Sequence, residues 1–115
     1  MPVVNRSKGT LIAAKVRRAD SFFSRLKGLL GTDSLPEGES LLIYPCSSIH
    51  TLGMNYPIDA LFVNSQSIVV KVEKELRPGS LAGASKAHYV IELPAGTADK
   101  AVCQIGDRIA VLSDD

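Results

Sequence analysis

Short stretches in which apolar and polar residues alternate dominate this 115-residue chain, so strand is the main prediction. Over residues 10–17, Ile12, Ala14 and Val16 fall on one face and Lys15 and Arg17 on the other, the pattern of a half-buried strand. Residues 41–44 form a short strand stopped by Pro45, and residues 46–52 a second one ended by Gly53. Residues 58–63 are apolar on both faces apart from Asp59 and Ala60, which predicts a central strand covered on both sides. Residues 64–67 are turn text. Residues 68–76 alternate most cleanly, with Val70 and Val72 against Lys71, Glu73 and Glu75. A break follows at residues 77–80, and residues 81–87 read as small and irregular. Residues 88–93 form another strand, turned by Pro94-Ala95-Gly96, and Thr97 is placed to cap a single helical turn running to Cys103. A last strand, 108–112, follows the turn at Gly106-Asp107.

One segment has helical spacing. Phe22, Leu26 and Leu29, with Phe23 and Leu30 beside them, recur three and four residues apart, which predicts an amphipathic helix near residues 20–30. Asp20 or Ser21 would cap its start and Gly31 its end. Gly28 lies inside that pattern, where a close backbone approach would explain it. About seven strands joined mostly by short turns argue against a doubly wound parallel sheet. The expected fold is mainly β (β-rich α+β): an antiparallel sandwich or small open barrel with one helix, in a single domain over residues 1–115. Residues 1–9 are expected to form a flexible N-terminal arm.

Composition narrows the class. Apolar residues make up 45% and charged residues 22%, as in an ordinary globular domain. No apolar run approaches the roughly 18 residues of a membrane helix, and the N-terminus lacks the apolar core of a signal peptide, so a cytoplasmic protein without a membrane partner is expected. The two cysteines, Cys46 and Cys103, read there as buried thiols, although a single disulfide is compatible with their number. Net charge is +1 but uneven: residues 1–27 carry +6 and the remainder −5. That basic quarter raises an anion- or RNA-binding surface as one reading, but no aromatic residue interleaves with the charges to stack bases, which argues against nucleic acid.

Polar chemistry concentrates in residues 45–59, with Cys46, Ser47, Ser48, His50, Thr51 and Asp59. On a regular strand Cys46 and His50 share a face but stand about 13 Å apart, too far to ligate one zinc ion directly. Ser48 and His50 are about 6.6 Å apart, beyond a nucleophile–base hydrogen bond. No nucleophile elbow or phosphate-cradling glycine loop occurs. Neither a metal nor a cofactor is therefore expected. Asp59 and Glu92 lie in strands read as core, so each needs a donor or must protonate.

Four segments resemble a known family. They are Arg-Leu-Lys-Gly-Leu-Leu at 25–30, Cys-Ser-Ser-Ile-His-Thr-Leu-Gly-Met at 46–54, Pro-Ile-Asp-Ala-Leu-Phe-Val at 57–63, and Val-Ile-Glu-Leu-Pro-Ala-Gly at 90–96 with Gly106-Asp107. In this combination the chain resembles the domain of unknown function 192 family, an uncharacterised ancient conserved region of small prokaryotic proteins. The resemblance spans roughly residues 12–112 and implies a mostly β, sandwich-like domain. It carries no catalytic residue. The family often has an aromatic residue at the slot of Leu52 or Gly53 and Lys-Asn after the methionine, where this chain has Asn55-Tyr56.

The leading expectation is a non-enzymatic domain that binds a small molecule or a protein partner. Its pocket would be floored by strand 46–52 and edged by Arg25, His50, Asp59 and Glu92, with Cys46, Thr51 and Met54 as weaker candidates. The alternative is a hydrolase using His50 with Asp59 or Cys46.

Overall fold

The deepest burial lies where the sequence is apolar on both faces: every residue of Ile58–Val63 is buried. The computed structural model describes residues 1–21 and 28–113. Among these, ten strands form open sheets with no closed barrel, so the protein is mainly β. In chain order they are β1 (Val3–Asn5), β2 (Thr10–Ala13), β3 (Arg17–Ala19), β4 (Leu41–Ile43), β5 (Ser48–His50), β6 (Ile58–Val63), β7 (Val69–Leu76), β8 (Leu81–Gly83), β9 (Tyr89–Pro94) and β10 (Ile109–Val111), with a one-turn helix α1 (Thr97–Lys100) before the last.

A five-stranded sheet runs β3-β4-β9-β6-β7, a three-stranded sheet β10-β1-β2, and β5 and β8 form a separate pair. All pairings are antiparallel except β3 with β4. Because side chains alternate across a strand, the five-stranded sheet has two inner faces. On one face Leu42, Leu61, Val63, Ile91 and Leu93 pack with Val3, Ile12 and Ile109 of the three-stranded sheet and with Ala98 and Ala101 around α1. On the other, Leu41, Ile43, Ala60, Phe62 and Val90 pack with Leu29, Ile49 and Met54. Phe62 is fully buried, so truncating such a side chain costs about 3–5 kcal/mol.

The structure departs from the sequence pattern in several places. The expected N-terminal arm is the middle strand of a sheet: β1 pairs with both β2 and β10. A polar network holds it there. The Asn5 amide donates to Asp107 Oδ2 at 2.8 Å, and the Lys8 ammonium to both Asp107 oxygens at 2.8 Å. Residues 81–83, read as irregular, form β8, while the strand expected over residues 46–52 shrinks to β5. Gly28, read as part of a helical pattern, has φ +51°, outside the right-handed helical region. The rest of the expected helix near residues 20–30 falls mainly on residues 22–27, outside the described residues.

Thr97 does not cap α1, which has no side-chain cap at its own N-cap position, Gly96. Asp59 serves instead from β6. Its Oδ2 accepts the N–H groups of Gly96 at 3.0 Å and Ala98 at 2.8 Å, and its Oδ1 accepts that of Glu75 at 2.8 Å. Glu75 has φ +50°, a left-handed conformation that non-glycine residues seldom adopt, and it sits where the β6–β7 register slips. One carboxylate thus fixes a bulge, a glycine turn and a helix start.

Replacing Asp59 with Ala leaves these three N–H groups without their acceptor. The expected loss is on the order of 3 kcal/mol in urea unfolding, with faster hydrogen exchange at the Gly96 and Ala98 amides; a near-neutral result would contradict the assignment. The Asp107 carboxyl behaves differently with pH. Burial opposes its charged form, but the hydrogen bonds from Lys8, Asn5 and the Gln104 N–H outweigh burial and hold its pKa below the usual 3.8. The stability it contributes is present above that value and lost as pH falls through the lower folded value. A Lys8→Met variant is therefore expected to be less stable at pH 7, with the gap closing near pH ~2. A gap that does not change with pH would contradict this.

Candidate functional site

Glu92 lies on the face of β9 opposite to Ile91 and Leu93, between Leu41 of β4 and Ala60 of β6 in the sheet register. Leu41 and Ala60 are at most 1% exposed, and Glu92 itself is 3% exposed. Its carboxyl has no hydrogen-bond partner among the described residues, yet it lines a cleft of about 540 Å³. Burial without a donor disfavours the charged form and pushes the Glu92 pKa up from 4.5 to about 7.

The rest of the cleft comes from segments covering that face of the sheet. Ile43 ends β4, and Gly28, Leu29 and Leu30 form one rim. Residues 45–50, Met54, Ala87 and His88 complete the lining. Ile49 and Ala82 face each other across the β5–β8 pair and pack against the same core, which seats that pair on the sheet. One main-chain bond fixes its approach, the Cys46 N–H donating to the His88 carbonyl at 3.0 Å, while the Ala84 N–H extends the pair itself by donating to the Ser47 carbonyl at 2.9 Å. The Cys46 thiol donates to the Ser48 carbonyl at 3.1 Å, and the His88 ring meets Tyr44 edge-on at 4.9 Å. Walls rich in Leu29, Ile43, Ile49 and Met54 with a few polar groups are the usual make-up of a small-molecule site.

Four of the residues singled out from sequence meet here: His50, Glu92, Cys46 and Met54. Two do not. Asp59 alternates with Ala60 on β6, so it faces the opposite side of the sheet, where its oxygens are occupied by main-chain N–H groups. A pairing of His50 with Asp59 is therefore ruled out. Thr51 is fully buried, and its hydroxyl ties its own turn to the 77–80 loop, donating to the Arg77 carbonyl at 2.6 Å and accepting the Ser80 N–H at 2.8 Å. Arg25 lies outside the described residues. The floor is also not the 46–52 strand: Ile43 and Glu92 of the central sheet supply it, and residues 45–50 form a wall. His88, Ile43 and Leu29 were not among the candidates. His88 was within reach of pattern, since it is two and four residues from Val90 and Glu92 on an alternating strand. Ile43 and Leu29 carry no local sign beyond being apolar.

Neither Cys46 nor Cys103 is in a disulfide. Cys103 is buried in the core and its thiol is pushed up to about 11, chiefly by burial, which makes it unreactive. The described residues contain no group of three His, Cys, Asp or Glu side chains able to hold a metal ion. None of their helices is long and apolar enough to cross a membrane.

Glu92 makes stability fall as pH rises. Its folded pKa lies above the unfolded value, so its contribution is intact below 4.5 and is lost as pH rises through about 7. Relative to a Glu92→Gln variant, the wild-type protein is expected to lose up to about 3 kcal/mol between pH ~5 and pH ~8. Parallel denaturation curves at both pH values would contradict a buried, unpartnered carboxyl.

The sequence and the fold are similar to those of known proteins. A "UPF0127 protein" of Thermococcus sibiricus is 34% identical over 113 residues, covering 93% of this chain and 72% of that protein. A protein of the same name from Pyrococcus horikoshii is also 34% identical, covering 93% of this chain and 96% of its own length. The crystal structure of a protein of unknown function from Novosphingobium aromaticivorans superposes with a TM-score of 0.84 at 20% identity, covering 96% of this chain and 84% of that one. The model of DUF192, described as an uncharacterized ACR, matches residues 3–111, and the chain belongs to that family.

Proposed function

We propose that the protein is a non-enzymatic binding domain whose ligand is a small molecule held in the cleft above Glu92. The observation that carries this reading is a carboxyl 3% exposed, without a donor among the described residues, at the floor of an apolar-walled cleft. Left alone, such a group costs folding free energy at neutral pH, and a ligand that donates to it recovers part of that cost. The cleft's volume, about 540 Å³, falls within the range usual for small-molecule sites. Two cysteines outside any disulfide suit a reducing compartment such as the cytoplasm.

A hydrolase reading has less support. Asp59 is committed on the other face of the sheet, and Glu92, the acid on the described lining, makes no hydrogen bond that would orient His50 as a base. The reading of residues 1–27 as an anion surface loses Lys8, which is tied to Asp107, while Lys15, Arg17 and Arg18 stay exposed.

Native mass spectrometry of freshly purified protein, followed by amide NMR with any retained molecule or with a fragment library, tests the proposal. Binders are expected to shift the amides of residues 28–30, 46–50, 88 and 92 and to leave 3–5 and 96–98 unmoved. A Ser47→Trp change, which puts a large ring on the wall, is expected to weaken those binders by at least about tenfold, or 1.4 kcal/mol. Shifts confined to other surfaces would overturn the proposal.

A further inference from the structure

We infer that the cleft takes a small organic cation, with an ammonium or amidinium head seated on Glu92 and an apolar body along Leu29, Ile43, Ile49 and Met54. This inference rests on the cleft being a ligand site and adds the chemical class of the ligand.

Three observations point the same way. First, Glu92 is an acceptor in want of a donor: it is 3% exposed, it reaches the cleft, and no described residue donates to it. Second, nothing on the described lining supplies a fixed positive charge. His50 and His88 are the basic side chains there, Cys46 is the other titratable group, and lysine and arginine are absent from the described lining. A ligand carboxylate or phosphate would meet Glu92 with no counter-charge from the described lining, and like charges at close range repel. Third, a metal ion would need further ligands near Glu92, and the described residues form no such group.

A protonated amine meets both requirements at once. It donates a charge-assisted hydrogen bond, roughly twice as strong as a neutral one, and it replaces the solvent that burial has taken from the carboxyl. Leu29, Ile43, Ile49 and Met54 then cover the hydrocarbon that follows the head. With the Glu92 pKa near 7, binding also moves a proton. The neutral acid gives up its proton to solvent as the ammonium settles against the carboxylate, so atoms and charge balance.

The test uses three probes of equal length, hexylamine, hexanol and hexanoate, titrated into the full chain at pH 8 and followed by amide NMR. Hexylamine is expected to bind at least about tenfold more tightly than hexanol, and hexanoate more weakly than hexanol. In the Glu92→Gln variant, hexylamine affinity is expected to drop to that of hexanol while hexanol affinity holds. Hexanol binding as well as hexylamine, hexanoate binding best, or an amine preference that survives in Glu92→Gln would each overturn the cation inference and leave the cleft as a ligand site. If none of the three probes moves the amides of His50, Met54 and Glu92, the ligand-site reading itself falls, and the inference with it. The comparison among probes on the wild-type protein does not depend on how the variant folds.

Discussion

Two strands with no face turned to water set the terms for the rest of the molecule. β6 and β9 pair in the middle of the five-stranded sheet, and each carries one carboxylate among apolar neighbours. A buried carboxylate must find donors or change its charge state. The two strands solve this in opposite ways on opposite faces. Asp59 collects three main-chain N–H groups, and in doing so it fixes the β7 bulge, the Gly96 turn and the start of α1. Glu92 collects none from the described residues and opens into a cleft. The first arrangement is architecture and the second is capacity for a ligand.

Much of the fold could be read from alternation. The fully buried 58–63 strand, the strand around residues 89–94 and the overall β class follow from which positions are apolar. What could not be read is long-range. Val3 and Asn5 look like an unremarkable tail until β10 arrives from the other end of the chain to pair with them. Residues 81–83 have no strong pattern because β8 is a short outer strand, with Leu81 78% exposed, and main-chain pairing with β5 holds it. Local capping rules point to Thr97 for α1, whereas the group that accepts the Ala98 N–H sits 39 positions earlier.

The same division holds for the site. Alternation marks Asp59 and Glu92 as carboxylates in core strands, but their faces depend on register, and a strand by itself does not say which side another segment will cover. The pairing of Ala60 with Glu92 puts Asp59 and Glu92 one position out of phase, hence on opposite sides. His50 and Cys46 reach the cleft because Ile49 is driven into the core, which docks the β5–β8 pair at its edge. The match to the DUF192 family runs over residues 3–111, and the fold recurs at 20% identity in the Novosphingobium protein.

The most direct test of the account is the ionisation of Glu92 itself. Carbon-13 NMR of the side-chain carboxyl, followed as pH is raised on the folded protein, is predicted to give a midpoint of about 7. A midpoint at the ordinary value near 4.5 would mean that Glu92 is solvated or already paired, and the account of an unpartnered carboxyl at the floor of a cleft would be wrong.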